Sequence, residues 1–343
     1  MSHTTDAKRG DLVLEVKGLT TEVFTREGVV KAVDDVSFEL YAGETLGIVG
    51  ESGSGKSMTA LSLLKLEPRP AAQIAGGEVW LDGEDLTSKT QQEMRRIRGR
   101  KISMILQDPQ SSLNPVFSIG NQVEEALRVH DRRLRGTKLR DQAIDILRQV
   151  RIAAPERRVR DYPHQMSGGM KQRVVGGIGI SCQPRVLIAD EPTTSLDVTV
   201  QAQYLRLLRE LQEKTGLGII FITHDFGIVA KMCDRVAVMY AGKIIEQGAI
   251  RATFNHPSHP YTQALMRSVP RLDETTSRLY SIPGQAPKAG EIRAGCAFAP
   301  RCEYADQRCR TEVPPVLPGL SRSESHRAAC WRLEEPSWNP NLS

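Results

Sequence analysis

The feature that most constrains the fold is a glycine-rich segment of the form G-x-x-x-x-G-K-S. It comprises Gly50, Glu51, Ser52, Gly53, Ser54, Gly55, Lys56 and Ser57. An apolar run, Thr45–Val49, precedes it, and a run of helical character from Met58 to Leu66 follows it. This order of strand, loop and helix is the context in which the pattern binds phosphate. The sequence therefore predicts an α/β P-loop nucleotide-binding core.

The chemistry of such a loop assigns roles to individual residues. Its glycines let backbone N–H groups converge on one phosphate, and the following helix adds its positive N-terminal end. We expect Lys56 to reach the β- and γ-phosphates and the Ser57 hydroxyl to hold Mg²⁺. Phe24, in an earlier strand, could stack on adenine or could be a plain core or edge aromatic. The sequence leaves both interpretations of Phe24 open.

Length and charge restrict the class of protein. The 343 residues suffice for roughly two or three domains. No apolar run approaches the roughly 20 residues that span a bilayer, and the polar segment Met1–Gly10 lacks the apolar core of a secretory signal. The net charge of +5 is mild and does not demand nucleic acid. These features predict a globular protein that does not enter a membrane by itself.

Two further buried-type strands end in residues that suit a nucleotide site. The first runs into Asp190 and Glu191, which is the Walker B pattern. Asp190 is expected to support Mg²⁺, and Glu191 to polarise the attacking water. The second ends at His224, at the edge where open α/β sheets bind ligands. Taken alone, His224 is more often a structural core or turn histidine, whereas together with the other motifs a contact with the γ-phosphate is favoured.

A second helix N-terminus suited to an anion follows Ser167. This serine is a good N-cap, and Gly168 and Gly169 permit close backbone approach. The helix that follows holds further glycines, among them Gly176, each costing up to about 1 kcal/mol against alanine. The simplest interpretation is that these glycines allow tight packing against a neighbouring helix.

Pattern and composition divide the chain into four parts. The predicted parts are a flexible N-terminus (1–10), an ATP-binding core with an antiparallel β subdomain (11–106 and 168–250), a helical subdomain (107–167) and an irregular extension (251–343). Within the helical subdomain, the pattern is helical from Ile119 to Val150.

Four cysteines crowd the extension: Cys296, Cys302, Cys309 and Cys330. In a cytosolic chain this crowding favours a metal over disulfides. The absence of a C-x₂-C pair fits a zinc knuckle poorly, whereas four thiolates can carry an iron–sulfur cluster. Zinc and metal-free thiols remain alternatives at this point.

In chain order, these motifs resemble those of the ATP-binding subunit of an ABC transporter. The set consists of the loop Gly50–Ser57, Gln107, Ser167-Gly168-Gly169-Met170-Lys171-Gln172, Asp190-Glu191, Ser195-Leu196-Asp197 and His224. Gln107-Asp108-Pro109 and Ser112-Leu113-Asn114-Pro115 look like the dipeptide/oligopeptide branch of importers. His256–Thr262 and Gly295–Cys302 extend the likeness into the extension.

The resemblance implies a role for each matching position. Gln107 would sense Mg²⁺ and the γ-phosphate, Glu191 would be the general base, and His224 the γ-phosphate switch. A second group would contact ATP bound on a partner subunit: Ser167, Gly168, Gly169 and Gln172. Ser195, Leu196 and Asp197 would form the D-loop. Similar tails in the family favour a 4Fe–4S cluster on the four cysteines.

The resemblance also implies partners, location and activity. The chain would hydrolyse ATP with Mg²⁺ and power import of dipeptides or oligopeptides from the cytoplasmic face of the cell membrane. Its partners would be a second, related ATP-binding subunit, two transmembrane permease subunits and an extracytoplasmic binding protein. A soluble ABC ATPase acting on nucleic acid or ribosomes is one alternative, and an importer ATPase for nickel or glutathione is another.

Overall fold

The computed structural model describes residues 10–107, 112–194, 196–269, 280–287, 294–321, 323–335 and 338. The chain separates into two compact units. The first unit is Met1–Glu15, Glu39–Glu44 and Trp80–Ile222. The second unit is Val16–Phe38, Thr45–Val79 and Thr223–Ser343.

The helices and strands are numbered in chain order. The strands are β1 Leu12–Thr25, β2 Gly28–Tyr41, β3 Thr45–Val49, β4 Ala72–Leu81, β5 Glu84–Asp85, β6 Ile102–Ile105, β7 Val186–Asp190, β8 Gly218–Thr223, β9 Arg235–Tyr240, β10 Lys243–Ala249, β11 Val316–Pro318 and β12 Arg327–Ala329. The helices are α1 Lys56–Leu63, α2 Gln91–Ile97, α3 Ile119–His130, α4 Gly136–Gln149, α5 Pro155–Arg158, α6 Gly168–Ile180, α7 Val198–Thr215, α8 Phe226–Met232, α9 Ile250–Asn255, α10 Pro260–Arg267 and α11 Gln307–Thr311. Short 3₁₀ turns occupy Pro163–Gln165, Ala299–Arg301 and Trp331–Glu334.

The first unit contains the parallel strands β6, β7 and β8. They are hydrogen-bonded in the order β6-β7-β8, with Ile105 opposite Ala189 and Asp190 opposite Ile222. Every residue of β7 is buried. A strand covered on both faces needs a continuous apolar run, which is why this segment lacks the alternation of a half-exposed strand.

The helical subdomain differs from its expected pattern. Instead of one helical stretch from Ile119 to Val150, α3 ends at His130 and α4 begins at Gly136. The side chain of Asp131 accepts hydrogen bonds from the backbone N–H and the guanidinium of Arg133. Such a local bond competes with the helical bond and ends the helix.

Glycines in α6 have a packing role. A Cβ on Gly176 would lie 2.9 Å from the Tyr204 hydroxyl of α7. A Cβ on Gly177 would lie 3.1 Å from Ile146 of α4. Tyr204 is buried, and its ring occupies the space beside Gly176 that a larger side chain would fill. The glycines therefore allow α4 and α7 to approach α6 closely, as the sequence predicted.

The second unit contains β3, β9, β10, β12 and β11, hydrogen-bonded in that order. β3 and β9 are parallel, and β9 and β10 form a hairpin around Ala241 and Gly242. Short β12 adds to β10, with Glu246 opposite Ala328. The extension thus contributes strands to this sheet, although its composition predicted irregular structure throughout.

The antiparallel β subdomain has the strand order β2-β1-β4-β5. β1 and β2 are each 14 residues long. Asp82 and Gly83 both have positive φ in the turn between β4 and β5, as an Asp-Gly pair permits. Within the described ranges, no helix is both long and apolar enough to cross a bilayer.

Candidate functional site

The glycine-rich loop joins β3 to α1 as the sequence predicts. All of β3 is buried, and α1 begins at Lys56 behind the left-handed Gly55. Gly50 has φ +154°, and a Cβ there would lie 2.2 Å from the carbonyl oxygen of Met239. Only glycine fits this position, because that neighbour is backbone and cannot rotate away.

Lys56 is held by the loop itself. Its Nζ donates hydrogen bonds to the carbonyl oxygens of Gly50 at 2.8 Å and Glu51 at 2.9 Å. Lys56 is only 7% exposed, whereas Ser57 beside it is exposed. The ammonium group is therefore held by the loop that is predicted to bind phosphate.

Two residues that sequence reasoning missed contact the loop from far downstream. The Tyr261 hydroxyl accepts a hydrogen bond from the backbone N–H of Glu51, at 2.8 Å. The Arg301 guanidinium donates to both carboxylate oxygens of Glu51, at 2.7 and 3.0 Å. Both residues lie in segments that carry the family resemblance, but no local pattern assigns either of them to the phosphate loop.

In the first unit, the end of β7 and the segment after β6 come together. The Gln107 amide donates a hydrogen bond to Glu191 Oε2 at 2.9 Å, and the Thr194 hydroxyl donates to the same oxygen at 3.1 Å. Glu191 has φ +45°, an outlier for a residue with a side chain. Such strain costs about 1–3 kcal/mol and clusters at functional sites. Asp190 is 4% exposed at the same strand end.

Two further predicted residues are exposed. His224 lies directly after β8 and precedes Asp225, which caps α8. Phe24 is 42% exposed near the end of β1. An exposed aromatic ring is available for stacking on a base, so its proposed contact with adenine stays a prediction.

The second predicted helix N-terminus is confirmed as the start of α6. Ser167 is its N-cap, and its hydroxyl accepts a hydrogen bond from the backbone N–H of Met170. Ser167 and Gly168 are exposed, whereas Gln172 is buried. The contact predicted between Gln172 and a partner's ATP stays a prediction. It would require the buried Gln172 side chain to become exposed.

The predicted D-loop precedes α7. Asp197 is the N-cap of this helix and accepts a hydrogen bond from the backbone N–H of Val200. Leu196 lies just before it. Ser195 is outside the described residues, as are residues 108–111 of the segment after Gln107.

The four cysteines of the extension line one small cavity. Its walls also include His259, Phe298 and Trp331, and its free volume of about 20 Å³ is close to the room one water needs. All four are thiols, and Cys309 and Cys330 are buried. Burial raises the pKa of Cys302 to about 11 and of Cys330 to about 12.

The donor set of this cavity suits a thiophilic metal, because four soft sulfur ligands converge and a cation would offset the cost of buried thiolates. As placed, however, no three or more His, Cys, Asp or Glu side chains in the described part of the chain form a metal-binding group. The four cysteines therefore line one cavity, and the iron–sulfur cluster stays a prediction.

Comparison with known proteins identifies the family. A model of the ABC transporter family matches residues 33–194, and one of the oligopeptide/dipeptide transporter C-terminal region matches residues 245–309. The chain is 49% identical over 331 residues to a probable peptide ABC transporter ATP-binding protein of Sinorhizobium fredii, covering 95% of this chain and 97% of that protein. The chain belongs to the ABC transporter family. It is an ABC-type ATPase whose fold implies ATP and Mg²⁺.

Other members of the family are similar over most of their length. A putative peptide import ATP-binding protein of Brucella ovis is 45% identical over 337 residues, covering 94% of this chain and 98% of that protein. A dimeric ATP-binding cassette bound to ADP and Pi superposes with a TM-score of 0.62 at 26% identity, covering 69% of this chain and 99% of that cassette. cbiO1 of Clostridium perfringens, part of an ABC transporter complex, gives a TM-score of 0.61 at 27% identity, covering 71% of this chain and 91% of that one. These likenesses confirm the ABC-type P-loop fold.

Proposed function

We propose that this ABC ATPase powers the import of dipeptides or oligopeptides across the cytoplasmic membrane. The observation that carries the proposal is the similarity to peptide import proteins along nearly the whole chain, including the C-terminal region beyond the ATPase core. The core alone would not indicate cargo, because it performs ATP chemistry that many transporters share.

The motifs supply the chemistry of one hydrolysis cycle. Gly50–Ser57 bind the phosphates, while Ser57 and Asp190 hold Mg²⁺ with help from Gln107. Glu191 acts as general base on the attacking water, and His224 contacts the γ-phosphate. Phe24 stacks on the adenine ring.

A second ATP-binding subunit completes the site. Ser167, Gly168 and Gly169 contact the ATP bound to that partner, with Gln172 behind them, and Ser195–Asp197 form the D-loop between the two. The pair closes when ATP binds and reopens after hydrolysis. Two permease subunits in the membrane follow this movement, and an extracytoplasmic binding protein delivers the peptide. The chain itself is peripheral, on the cytoplasmic face, and its partner is a related rather than an identical subunit.

The division of the chain into 1–10, 11–106 with 168–250, 107–167 and 251–343 belongs to the same proposal. The core binds nucleotide, the helical subdomain presents the α6 N-terminus, and the extension carries the cysteine-lined cavity. Expression of 11–250 alone, followed by a test for a cooperative melting transition, examines whether the extension is separable.

The decisive experiment is transport by the whole complex. The chain is co-purified with its permease subunits and placed in liposomes, and uptake of labelled di- and tripeptides is measured with ATP inside and out. Peptide uptake that requires ATP and the binding protein supports the proposal. Uptake of nickel or glutathione instead, or ATPase activity stimulated by RNA or ribosomes without permeases, would replace it.

We further propose that Cys296, Cys302, Cys309 and Cys330 hold a 4Fe–4S cluster. The four thiols around one cavity support this assignment. The cavity has room for about one water, so the four thiols would have to move apart to hold a cluster, which is larger than a single ion. A cluster bound there would cross-link the extension through the four cysteines and so stabilise it.

Anaerobic purification tests the cluster directly. Iron, acid-labile sulfide and visible absorption that disappear together in a Cys302→Ser variant support it. Stoichiometric zinc without sulfide would make the site a zinc site, and a metal-free protein with four reactive thiols would refute both metal assignments.

A further inference from the structure

Glu51, the second residue of the phosphate loop, is fixed at three points. Its backbone N–H donates to the Tyr261 hydroxyl at 2.8 Å, and its carboxylate receives both terminal nitrogens of Arg301. Its carbonyl oxygen accepts a hydrogen bond from Lys56 Nζ at 2.9 Å. One residue thus connects the phosphate-binding lysine with two side chains that lie 210 and 250 residues later in the chain.

Tyr261 is held rigidly where it meets the loop. It lies in the first turn of α10 and is 0% exposed. Its ring centroid lies 4.5 Å from that of Tyr240 in β9 and 5.3 Å from that of Phe298. Packed aromatic rings of this kind lose little further freedom when they form a contact, so the hydroxyl is pre-positioned.

Arg301 is held as firmly as Tyr261. It ends the 3₁₀ turn Ala299–Arg301, and its side chain is only 6% exposed. Its Nε donates to the carbonyl oxygen of Pro283 at 2.9 Å, and its guanidinium lies 6.0 Å from the ring centroids of Tyr240 and Phe298. A planar guanidinium that makes two parallel bonds to a carboxylate fixes orientation as well as charge.

We propose that Arg301 and Tyr261 are positioning residues for the phosphate loop, so that the extension forms part of the ATP site. They fix the position of Glu51. Glu51 in turn fixes the start of the phosphate loop, and its carbonyl oxygen binds the ammonium group of Lys56. Both residues act through Glu51, which accepts the hydrogen bonds of Arg301 and donates one to Tyr261. A loop already ordered before ATP arrives spends less binding free energy on ordering, which strengthens ATP binding.

This proposal rests on ATP binding at Gly50–Ser57 and adds two residues to which the family resemblance assigns no role. Removing the contacts leaves every motif residue in place. The expected loss therefore falls on affinity for ATP and on KM, while the chemical step by Glu191 retains most of its rate.

The test uses the full chain, alone for ATP binding and with its membrane partners for turnover. Arg301→Met keeps the length of the side chain but removes both bonds, and we expect about tenfold weaker binding of a fluorescent ATP analogue, as for loss of a charge-assisted hydrogen bond. Tyr261→Phe keeps the ring and removes only the hydroxyl, and a smaller loss of a few fold is expected. Arg301→Lys should recover part of the affinity, because one bond to Glu51 can re-form.

Matched controls distinguish positioning from general damage to the extension. Arg308→Met removes an exposed arginine of the same extension that pairs with Glu312 and Glu334, and Tyr280→Phe removes an exposed hydroxyl. Both controls should bind ATP like the unaltered chain. In a Glu51→Gln background, Arg301→Met should add little further loss, because the two side chains act as one unit.

Several outcomes would overturn the proposal. Unchanged ATP affinity in Arg301→Met with a lowered melting temperature would make the contacts structural only. Tighter ATP binding would show that the contacts restrain the loop. A fall in kcat at unchanged KM would place the effect on the chemical step, and an unaltered chain that binds no ATP would overturn both this proposal and the proposed function.

Discussion

The protein presents two glycine-containing helix N-termini that suit an anion, and they are built differently. Before α1, Gly50, Gly53 and Gly55 have positive φ and form a tight turn. Before α6, a Cβ on Gly168 would meet no described atom within 4 Å, and Ser167 caps a regular helix. The glycines before α1 are needed for a left-handed backbone conformation. Gly168 at the start of α6 instead leaves the helix N-terminus uncovered by a side chain.

The difference extends to what surrounds each terminus. The first is held on one side by its own chain, because Met239, Tyr261 and Arg301 contact the loop, while Ser57 stays exposed. The second is exposed at Ser167 and Gly168. Both termini can receive an anion, but later parts of the chain order only the first. The comparison therefore supports the division of labour proposed for the two sites.

The largest expected effect is on the rate of ATP hydrolysis, in a Glu191→Gln variant that still binds ATP. Glu191→Gln retains a side chain that can accept the hydrogen bond from Gln107, but it cannot take a proton. Phosphate release should fall by about 10²–10⁴-fold, the usual contribution of a general base, while ATP binding persists. Light scattering should then detect an ATP-dependent assembly with the partner subunit. Hydrolysis at the unaltered rate would remove Glu191 from the catalytic role.

An alanine at each of the two helix N-termini should change the free energy of unfolding by different amounts. Gly50→Ala places a Cβ against the Met239 carbonyl at a strongly positive φ, so the free energy of unfolding should fall by about 3 kcal/mol. Gly168→Ala meets open space and should leave stability unchanged or slightly raised. Urea denaturation of both variants measures the difference. Equal losses would mean that the two termini are not built differently after all.

A charge placed at the open terminus should affect the assembly and not the single chain. Gly168→Glu puts a carboxylate at the N-terminus of α6, which is favourable for the helix but repels a phosphate. ATP affinity of the isolated chain should be unchanged, and turnover of the assembled complex should fall about 10- to 100-fold, as when one stabilising group is lost. Gly168→Ala serves as the matched control. A loss of ATP affinity in the isolated chain would show that α6 serves its own chain's nucleotide.

The smallest effect tests why α6 tolerates glycine. Gly176→Ala should lower the free energy of unfolding by about 1 kcal/mol, because overpacking against the Tyr204 hydroxyl outweighs the gain in helix propensity. In a Tyr204→Phe background the hydroxyl is absent, and the same change should become neutral or stabilising. Thermal melts of the four proteins give the coupling. Identical costs in both backgrounds would place the clash elsewhere.

Much of the fold followed from local pattern. β3, β7 and β8 lie where continuous apolar runs predicted buried strands, and the loop, the α6 N-cap and the β9–β10 hairpin follow from their glycine, serine and Ala-Gly signals. The break between α3 and α4 was not predicted, although Asp131–Lys138 has Leu134 as its one apolar residue and contains Gly136. The side-chain bonds of Asp131 to Arg133 lie where α3 ends. β12 was also missed, since three residues carry no periodicity.

The sequence by itself determined the kind of molecule: a P-loop ATPase of the ABC family, with its phosphate loop, its acidic strand end and a second anion-binding helix. Those features depend on backbone conformation, which short runs of glycine, apolar residues and caps specify locally. The tertiary structure alone decided that Tyr261 and Arg301 hold Glu51, that Tyr204 needs Gly176, and that four distant thiols line one cavity. Contacts between residues far apart in the sequence depend on how helices and strands pack against one another. The local conformational preferences of a short segment do not specify that packing.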